Sequence, residues 1–226
     1  MADAHPSSLV LVGAGLQNAL IALAALDARP DQRVVVLERA GRACGNHTWC
    51  FHESDVPVPL RGLVSGLTAH QWPSYDVRFP ERSRRVEIGY ACMESRALAE
   101  ILDARLAAAP HGLLRTGADV RAVVARGVTL ASGERVEGDL VVDARGPSRE
   151  PDAKAGYQQF LGVELAVDAP HGLERPLLMD ATLEQVDGFR FLYVLPLGPS
   201  RLLVEDTVFS ASPTLDVPAW RTRVLD

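Results

Sequence analysis

The fold is decided by the stretch Ser8-Leu-Val-Leu-Val-Gly-Ala-Gly-Leu-Gln-Asn18, which predicts a strand, a glycine turn and the start of a helix. A later apolar run, Val34-Val-Val-Leu37, predicts a second strand that ends at Glu38. This order is typical of the dinucleotide-binding fold, because glycines let the backbone approach a pyrophosphate and the helix N-terminus supplies N–H groups and the positive end of a dipole. The start of the chain therefore favours a nucleotide cofactor.

Five residues of this stretch are candidates for cofactor binding: Val12, Gly13, Gly15, Asn18 and Glu38. Glu38 lies 23 positions after Gly15, near the offset of about 20 residues at which this fold places the carboxylate that accepts hydrogen bonds from the ribose. A carboxylate there favours an unphosphorylated ribose. Asn18 replaces the third glycine of the G-x-G-x-x-G pattern, so an ordinary strand-to-helix turn stays open as an alternative, which the apolar flanks and the terminal acid disfavour.

Composition narrows the class of protein. The 226 residues are 47% hydrophobic and carry a net charge of −6, which argues against nucleic acid as a partner, since a phosphate backbone is bound by clustered Lys and Arg. Three cysteines without a C-x-x-C pair favour a reducing, cytoplasmic compartment, and the histidines lack metal-site spacing. We expect no signal peptide and no membrane span, because the longest apolar helix candidate, Leu16 to Leu26, is shorter than the roughly 20 residues that a bilayer needs.

The middle of the chain predicts a helix followed by a meander that returns to the cofactor sheet. The helix covers Ser95 to Ala109, and the strands cover Ala118 to Val124, Gly127 to Leu130 and Arg135 to Val142. In flavin enzymes of the two-dinucleotide-binding class, the turn after such a last strand passes near the flavin. Asp143 and Gly146 are therefore candidates on the cofactor side, and a turn capped by Asp143 is an equally open alternative.

After a polar link from Pro147 to Lys154, the sequence predicts strands without helices. These strands are Tyr157–Val167, Pro176–Thr182, Phe189–Leu197 and Arg201–Phe209. We therefore expect an α/β protein in two domains. Residues 1–150 form a Rossmann-like dinucleotide-binding domain with a meander insertion, and residues 151–226 form an antiparallel β substrate sheet.

The last two strands predict a hairpin whose loop is Gly198-Pro-Ser200. In that register the facing pairs are Leu195 with Leu203, Tyr193 with Glu205, and Phe191 with Thr207. Two acids, Glu205 and Asp206, then lie in the apolar middle of a strand on opposite faces.

Glu205 is the candidate general acid of the chain. A carboxyl group among apolar neighbours tends to stay protonated, which is the condition of an acid that works near neutral pH. Asp206 lies diagonally opposite Arg190 and is expected to pair with it or to support Glu205. Spacing alone leaves a solvated acid open as the alternative for either residue.

Several short motifs carry a family resemblance. They are Val12-Gly-Ala-Gly-Leu16 with Asn18, Gly45-Asn-His-Thr-Trp49 with Phe51-His52, Trp72-Pro-Ser-Tyr75-Asp-Val77-Arg-Phe-Pro80, Val142-Asp-Ala-Arg-Gly146, His171-Gly-Leu173, Met179-Asp-Ala-Thr182, Arg190-Phe191 with Leu195-Pro196, and Glu205-Asp-Thr207. On these residues the chain resembles the bacterial-type lycopene β-cyclases of carotenoid biosynthesis over nearly its whole length.

The resemblance implies a flavoprotein isomerase. It implies FAD in its reduced form, NAD(P)H as the reductant, and lycopene as the substrate, whose open ends become β-rings without net electron transfer. Glu205 would protonate the terminal double bond, with Asp206 in support. Tyr193, Phe191 and Trp49 would help to stabilise the cation that forms.

The resemblance also implies that the chain lacks the C-terminal part of its relatives, so an inactive cofactor-binding fragment is one alternative. A second alternative is an FAD-dependent hydroxylase of the same architecture, which would use NAD(P)H and oxygen. The arginine-rich stretch from Arg78 to Arg85 is expected to be a solvated turn between two strands. Its alternative role is contact with anionic lipid, which would place the protein peripherally at the inner face of the membrane.

Overall fold

The computed structural model of the chain describes residues 7–146, 156–185 and 188–225. The helices are Leu16–Ala28 (α1), Arg61–Leu67 (α2), Ser95–Ala108 (α3) and Val217–Leu225 (α4), with 3-10 turns at Glu53–Asp55 and Val58–Leu60. The strands are Ser8–Val12 (β1), Arg33–Leu37 (β2), Thr48–His52 (β3), His70–Trp72 (β4), Tyr75–Phe79 (β5), Arg82–Val86 (β6), Tyr90–Glu94 (β7), Gly112–Arg115 (β8), Val120–Val124 (β9), Gly127–Leu130 (β10), Arg135–Glu137 (β11), Leu140–Asp143 (β12), Tyr157–Ala166 (β13), Leu177–Asp180 (β14), Phe189–Gly198 (β15) and Arg201–Ser210 (β16).

The chain divides into two compact units. Unit 1 comprises Met1–Cys50, Val56–Ala69 and Cys92–Ser148, and unit 2 comprises Phe51–Asp55, His70–Ala91 and Arg149–Asp226. These units differ from the predicted domains 1–150 and 151–226, because two segments of the first half belong to unit 2. The predicted link from Pro147 to Lys154 lies outside the described residues.

Unit 1 is built on a parallel sheet with the strand order β12-β1-β2-β8. Helices α1 and α3 contact strands of this sheet, and α1 buries the small residues Ala19 and Ala22 together with Leu23, which lets the helix lie close to the strands. The meander β9-β10-β11 shares a buried core with the sheet, to which Val10 and Val128 contribute. The predicted strand, glycine turn, helix and second strand are confirmed.

The predicted single strand from Arg135 to Val142 is wrong. The chain breaks at Gly138 and Asp139, which separate β11 of the meander from β12 of the parallel sheet. A Cβ at Gly138 would lie 2.6 Å from Cγ2 of Val10, so only glycine allows this close approach. The Asp139 carboxylate accepts hydrogen bonds from the backbone N–H and the hydroxyl of Ser8, both at 3.0 Å, and this fixes the start of β12 beside β1.

Unit 2 is built on a six-stranded sheet with the order β13-β16-β15-β14-β5-β6. Its strands pair antiparallel, as predicted, except for β14 and β5, which run parallel. The hairpin of β15 and β16 has the predicted register, in which Leu195, Tyr193 and Phe191 pair with Leu203, Glu205 and Thr207. The arginine-rich stretch forms the hairpin of β5 and β6, as predicted.

The prediction of strands alone after the link is wrong at its end, where α4 follows β16. Asp216 caps this helix, since its carboxylate accepts a hydrogen bond of 3.1 Å from the Ala219 N–H. Pro218 in the first turn is a second signal for a helix start, so the sequence contains two indications of α4. No helix in the described part of the chain is long and apolar enough to cross a membrane.

Candidate cofactor pocket and candidate acid

A cavity of about 410 Å³ in unit 1 lies at the carboxyl ends of the parallel strands, where open α/β sheets bind their ligands. Its volume is within the range of small-molecule pockets, roughly 300–1,000 Å³. Four predicted cofactor residues line it, namely Val12, Gly13, Gly15 and Glu38. Residues that the sequence did not single out for the cofactor also line it, among them Arg42, Cys44, His47, Trp49, Asp119 and Arg145.

The two glycines of the turn have different roles. Gly13 has a φ of +88°, and a Cβ there would lie 2.9 Å from the backbone oxygen of Ala144, so this glycine is required by the backbone. Gly15 has an ordinary φ of −80°, and nothing lies within 4 Å of where its Cβ would be. It is also the N-cap of α1, which has no side-chain cap among the described residues. Its open side therefore offers uncapped helix N–H groups to an anion.

Asn18 lies beneath the turn and does not line the cavity. Its buried side-chain amide donates hydrogen bonds to the backbone oxygens of Val12 at 3.0 Å and Gly13 at 2.8 Å. The third glycine of the usual pattern gives close packing of helix on strand, and Asn18 replaces that packing by two hydrogen bonds. The residue stabilises the shape of the turn.

Glu38 joins the turn to the loop after β2. Its carboxylate accepts hydrogen bonds from the Ala14 N–H at 2.7 Å and the Ala40 N–H at 2.8 Å. Two carboxylate oxygens offer about four acceptor positions, so hydroxyl groups of a ligand can still donate to this residue. The acid at the end of β2 is therefore fixed by the backbone at the edge of the cavity.

Asp143 and Gly146 do not line the cavity, whereas Ala144 and Arg145 between them do. The Asp143 carboxylate accepts hydrogen bonds from the Arg145 guanidinium at 2.8 and 2.7 Å, and these bonds lower the pKa of Asp143. Arg145 also donates to the backbone oxygen of Val120 at 2.8 Å. The Asp143 carboxylate also accepts a hydrogen bond of 3.3 Å from the Arg145 backbone N–H, so it fulfils the alternative role of capping the turn. Its bonds to the guanidinium orient Arg145 at the cavity.

Cys44 is the feature of this cavity that sequence patterns missed. It is buried with a φ of +64°, a conformation rare for a residue with a side chain, and its N–H donates to the Ala14 oxygen at 2.8 Å. Burial and the nearby Glu38 carboxylate raise the pKa of the Cys44 thiol to about 11, so the thiol stays protonated. His47 and Trp49 follow with their rings 5.5 Å apart.

The candidate acid lies in unit 2, in the middle of β16. Tyr193 of β15 pairs with Glu205 on one side and Gly162 of β13 pairs with it on the other. Burial raises the pKa of the Glu205 carboxyl, and the hydrogen bond of 3.2 Å from the Thr207 hydroxyl opposes this shift without cancelling it. The group is therefore biased towards its protonated form, in which it can donate a proton.

Asp206 is fully buried on the opposite face of β16. The Arg190 guanidinium donates to both of its oxygens, at 2.9 and 3.1 Å, which confirms the predicted pairing. Arg223 of α4 donates to the same carboxylate at 2.6 Å, a contact that the sequence did not predict. The arrangement joins β15, β16 and α4 through one carboxylate.

The predicted aromatic helpers lie in different places. Tyr193 adjoins Glu205 in the hairpin, and its hydroxyl shares a hydrogen bond of 2.9 Å with the hydroxyl of Tyr90. Phe191 pairs with Thr207 and contacts the rings of Phe189 and Phe209. Trp49 lines the cavity of unit 1.

Two further histidines, His171 and His52, have structural surroundings. His171 contacts the backbone oxygen of Gly198 at 2.6 Å through Nε2 and accepts from the Leu173 N–H through Nδ1, which fixes the hairpin loop. His52 packs against the rings of Tyr75 and Tyr90.

Comparison with known proteins shows the family of this chain. The family model described as lycopene cyclase protein matches residues 8–226. The lycopene beta-cyclase of Pantoea ananas is 41% identical over 96% of this chain and 56% of its own length, and that of Paracoccus sp. (strain N81106 / MBIC 01143) is 41% identical over 92% and 53%. The chain thus spans about half the length of the curated relatives it matches.

Solved structures share the fold at low identity. The p-nitrophenol 4-monooxygenase PnpA of Pseudomonas putida is 17% identical over 96% of this chain and 61% of its own, with a TM-score of 0.69. PqsL of Pseudomonas aeruginosa, a probable FAD-dependent monooxygenase, is 18% identical over 90% of this chain and 60% of its own, with a TM-score of 0.67. From the family match and the curated relatives, the chain belongs to the lycopene cyclase family.

Proposed function

We propose that the protein is a lycopene β-cyclase, which converts the open ends of lycopene into β-rings by acid catalysis, towards γ-carotene and β-carotene. Membership of the lycopene cyclase family supports lycopene as the substrate. The observation that carries the chemistry is the Glu205 carboxyl, whose pKa is raised by burial in the middle of β16. Asp206 has a supporting role: its hydrogen bonds with Arg190 and Arg223 connect β16 to β15 and α4.

The proposed reaction is balanced in protons. The proton on the Glu205 carboxyl adds to the terminal double bond and leaves a tertiary cation. A neighbouring double bond attacks that cation and forms the carbon–carbon bond of the ring. Loss of a proton from a ring carbon then forms the ring double bond. One proton enters and one leaves, so the product is an isomer of the substrate and no electrons are transferred.

FAD is the proposed cofactor, and the cavity of unit 1 fits its pyrophosphate and ribose. The open side of Gly15 would admit the phosphates, and Glu38 would accept hydrogen bonds from the ribose hydroxyls. Asn18 and Asp143 would act by holding the turn and orienting Arg145. Bound in reduced form, with NAD(P)H as the proposed reductant, FAD supplies an electron-rich ring system that favours nearby positive charge.

The test is anaerobic incubation of the protein, expressed from its natural gene, with lycopene in liposomes and photoreduced FAD without nicotinamide. The expected product has the mass of lycopene and the absorption spectrum of a β-ring carotenoid. A heavier product that forms only with air and NAD(P)H would contradict the proposal and indicate a hydroxylase. The 226-residue chain is assayed in parallel, and activity of the natural gene product alone would show that this chain is an incomplete enzyme.

Replacing Gly15 by serine should separate cofactor binding from folding. Serine is a favoured helix N-cap, so α1 should be equally or more stable. Its side chain would occupy the open side of the turn and compete for the N–H groups that phosphate needs. Loss of one charge-assisted hydrogen bond costs about 1.5–3 kcal/mol, so FAD affinity should fall about 10–150-fold. Fluorescence titration of the apoprotein with FAD measures this.

The matched control for Gly15 is Gly41→Ser. Gly41 also has nothing within 4 Å of its Cβ position, yet it does not line the cavity. Its substitution should leave both the FAD affinity and the melting temperature unchanged. An unchanged FAD affinity in Gly15→Ser would refute the assignment of this turn to the pyrophosphate.

Peripheral membrane contact is a further part of the proposal, because lycopene is insoluble in water. The hairpin of β5 and β6 exposes Arg82, Arg84 and Phe79, and these two arginines form no ion pair with any described residue. Each charge near an anionic bilayer is worth about 1 kcal/mol, so Arg82→Gln with Arg84→Gln should weaken binding to anionic vesicles about 30-fold. Vesicle co-sedimentation measures the change.

The matched control for the hairpin is Arg96→Gln with Arg121→Gln, which removes the same charge from exposed positions of unit 1. It should change vesicle binding by less than about 3-fold, equivalent to roughly half a kcal/mol. Equal losses in the two double variants would show that binding depends on net charge alone and would exclude the hairpin as the contact.

A further inference from the structure

Glu205 is flanked unequally on its face of the sheet. On the β15 side stands Tyr193, whose hydroxyl is bonded to Tyr90. On the β13 side stands Gly162, which is exposed and has no side chain. A Cβ built at Gly162 would lie 3.6 Å from Oε2 of Glu205, so the carboxyl reaches over this glycine. The space above Gly162 is therefore in direct contact with the acid.

Neither the backbone nor the packing of β13 requires a glycine here. Gly162 is not in the left-handed region, and it lies in the interior of a ten-residue strand, where glycine weakens pairing. Its Cβ would meet Leu203 Cδ1, the end of a flexible side chain, at 3.3 Å and would make only ordinary contacts with Glu205. A glycine in a strand interior often marks the close approach of a ligand.

The face of the sheet that carries Glu205 has exposed aromatic rings on one side of this acid. Phe160, Phe189 and Phe209 are 52%, 40% and 47% exposed. Phe160 is two residues from Gly162, about 7 Å along the strand, and pairs with Thr207, the hydrogen-bond donor to Glu205. Phe189 pairs with Phe209, two residues further along β16 from Thr207. An uncharged, extended polyene matches this row of exposed rings.

We propose that Gly162 is a substrate-positioning residue: its missing side chain lets the apolar end group of a polyene lie against the Glu205 carboxyl, with the polyene running towards Phe160. The inference rests on the proposed function and adds a specificity determinant to it. Because a displacement of about 1 Å from the reacting group can cost about 100-fold in rate, even small side chains at this position should matter.

The experiment compares Gly162→Ala and Gly162→Val with wild type, all expressed from the natural gene in a lycopene-accumulating bacterial host. We expect ring formation to fall about 10-fold in the alanine variant and about 100-fold in the valine variant. Melting temperatures should stay equal or rise, since alanine and valine suit a strand better than glycine. The matched control is Ala166→Val on the same strand and face, about 13 Å from Gly162, which should retain full activity.

Two readouts separate a positional role from a structural one. The residual activity of the Gly162 variants should still fall as pH rises, because the acid is still present, and their FAD content should be unchanged. Full activity in Gly162→Val, or a loss of activity that appears only with a lowered melting temperature, would overturn the inference. If wild type forms no ring product, the proposed function fails and this inference fails with it; active wild type with active Gly162→Val refutes the inference alone.

Discussion

Replacing Glu205 by glutamine should lower the rate of ring formation by about 10²–10⁴-fold, the usual contribution of a general acid. Glutamine keeps the size of the side chain and can still accept the hydrogen bond from Thr207, but it has no proton of suitable acidity. FAD content and the melting temperature should stay close to those of wild type. Chromatography and mass spectrometry of the carotenoids formed by the natural gene product measure the rate.

Glu164→Gln is the matched control for this substitution. Glu164 lies on the neighbouring strand β13 and on the same face as Glu205, where it forms a surface ion pair with Arg201. Its replacement removes one carboxylate from that face without touching the candidate acid, so activity should be unchanged. Equal losses in the two variants would show that the charge of the face matters and would contradict a specific acid at position 205.

The pH dependence gives an independent check on Glu205. Burial raises the pKa of this carboxyl in the folded state, so the protonated acid persists to higher pH than in an unfolded chain. Activity should fall as pH rises through the folded-state pKa. The contribution of Glu205 to stability is fully present below the unfolded pKa and is lost as pH rises through the folded pKa. Glu205→Gln should lack that loss, as urea unfolding across pH will show.

Local patterns predicted much of the fold. The hairpin register of β15 and β16 followed from period-two alternation and a short loop, because a slip of one residue would move every side chain to the other face. The strand, glycine turn and helix at the N-terminus followed from the apolar flanks of Gly13 and Gly15. The parallel pairing of β14 with β5 could not be predicted in this way, since it joins segments about 100 residues apart.

The candidate site was predicted where its residues are close in sequence. Arg190 and Asp206 lie diagonally across one hairpin, so their pairing followed from the register. The second partner, Arg223, comes from α4, and its approach depends on how that helix packs. Cys44 was missed for a different reason, because its left-handed backbone is imposed by the loop and leaves no mark in a hydrophobic pattern.

Asp206→Asn should be the most destabilising of the substitutions considered, at about 3–5 kcal/mol in the free energy of unfolding. Asparagine has the same shape but no charge, so the buried Arg190 and the partly buried Arg223 would lose the carboxylate that compensates them. The guanidinium of Arg223, which also lies over the ring of Trp220 at 4.3 Å, would lose its tie to β16. Urea unfolding of the 226-residue chain measures the change.

Asp27→Asn is the control, because Asp27 forms a half-exposed ion pair with Arg105 at the surface of unit 1. This substitution should lower the free energy of unfolding by only about 0–1 kcal/mol. The comparison also decides what Asp206 does. If this residue acts by holding β15, β16 and α4 together, Asp206→Asn should lose stability while the folded fraction still forms rings at low temperature. A stable Asp206→Asn variant without ring formation would instead make Asp206 part of the catalytic machinery, because a carboxylate with two arginine partners would then be dispensable for the fold and required for the chemistry.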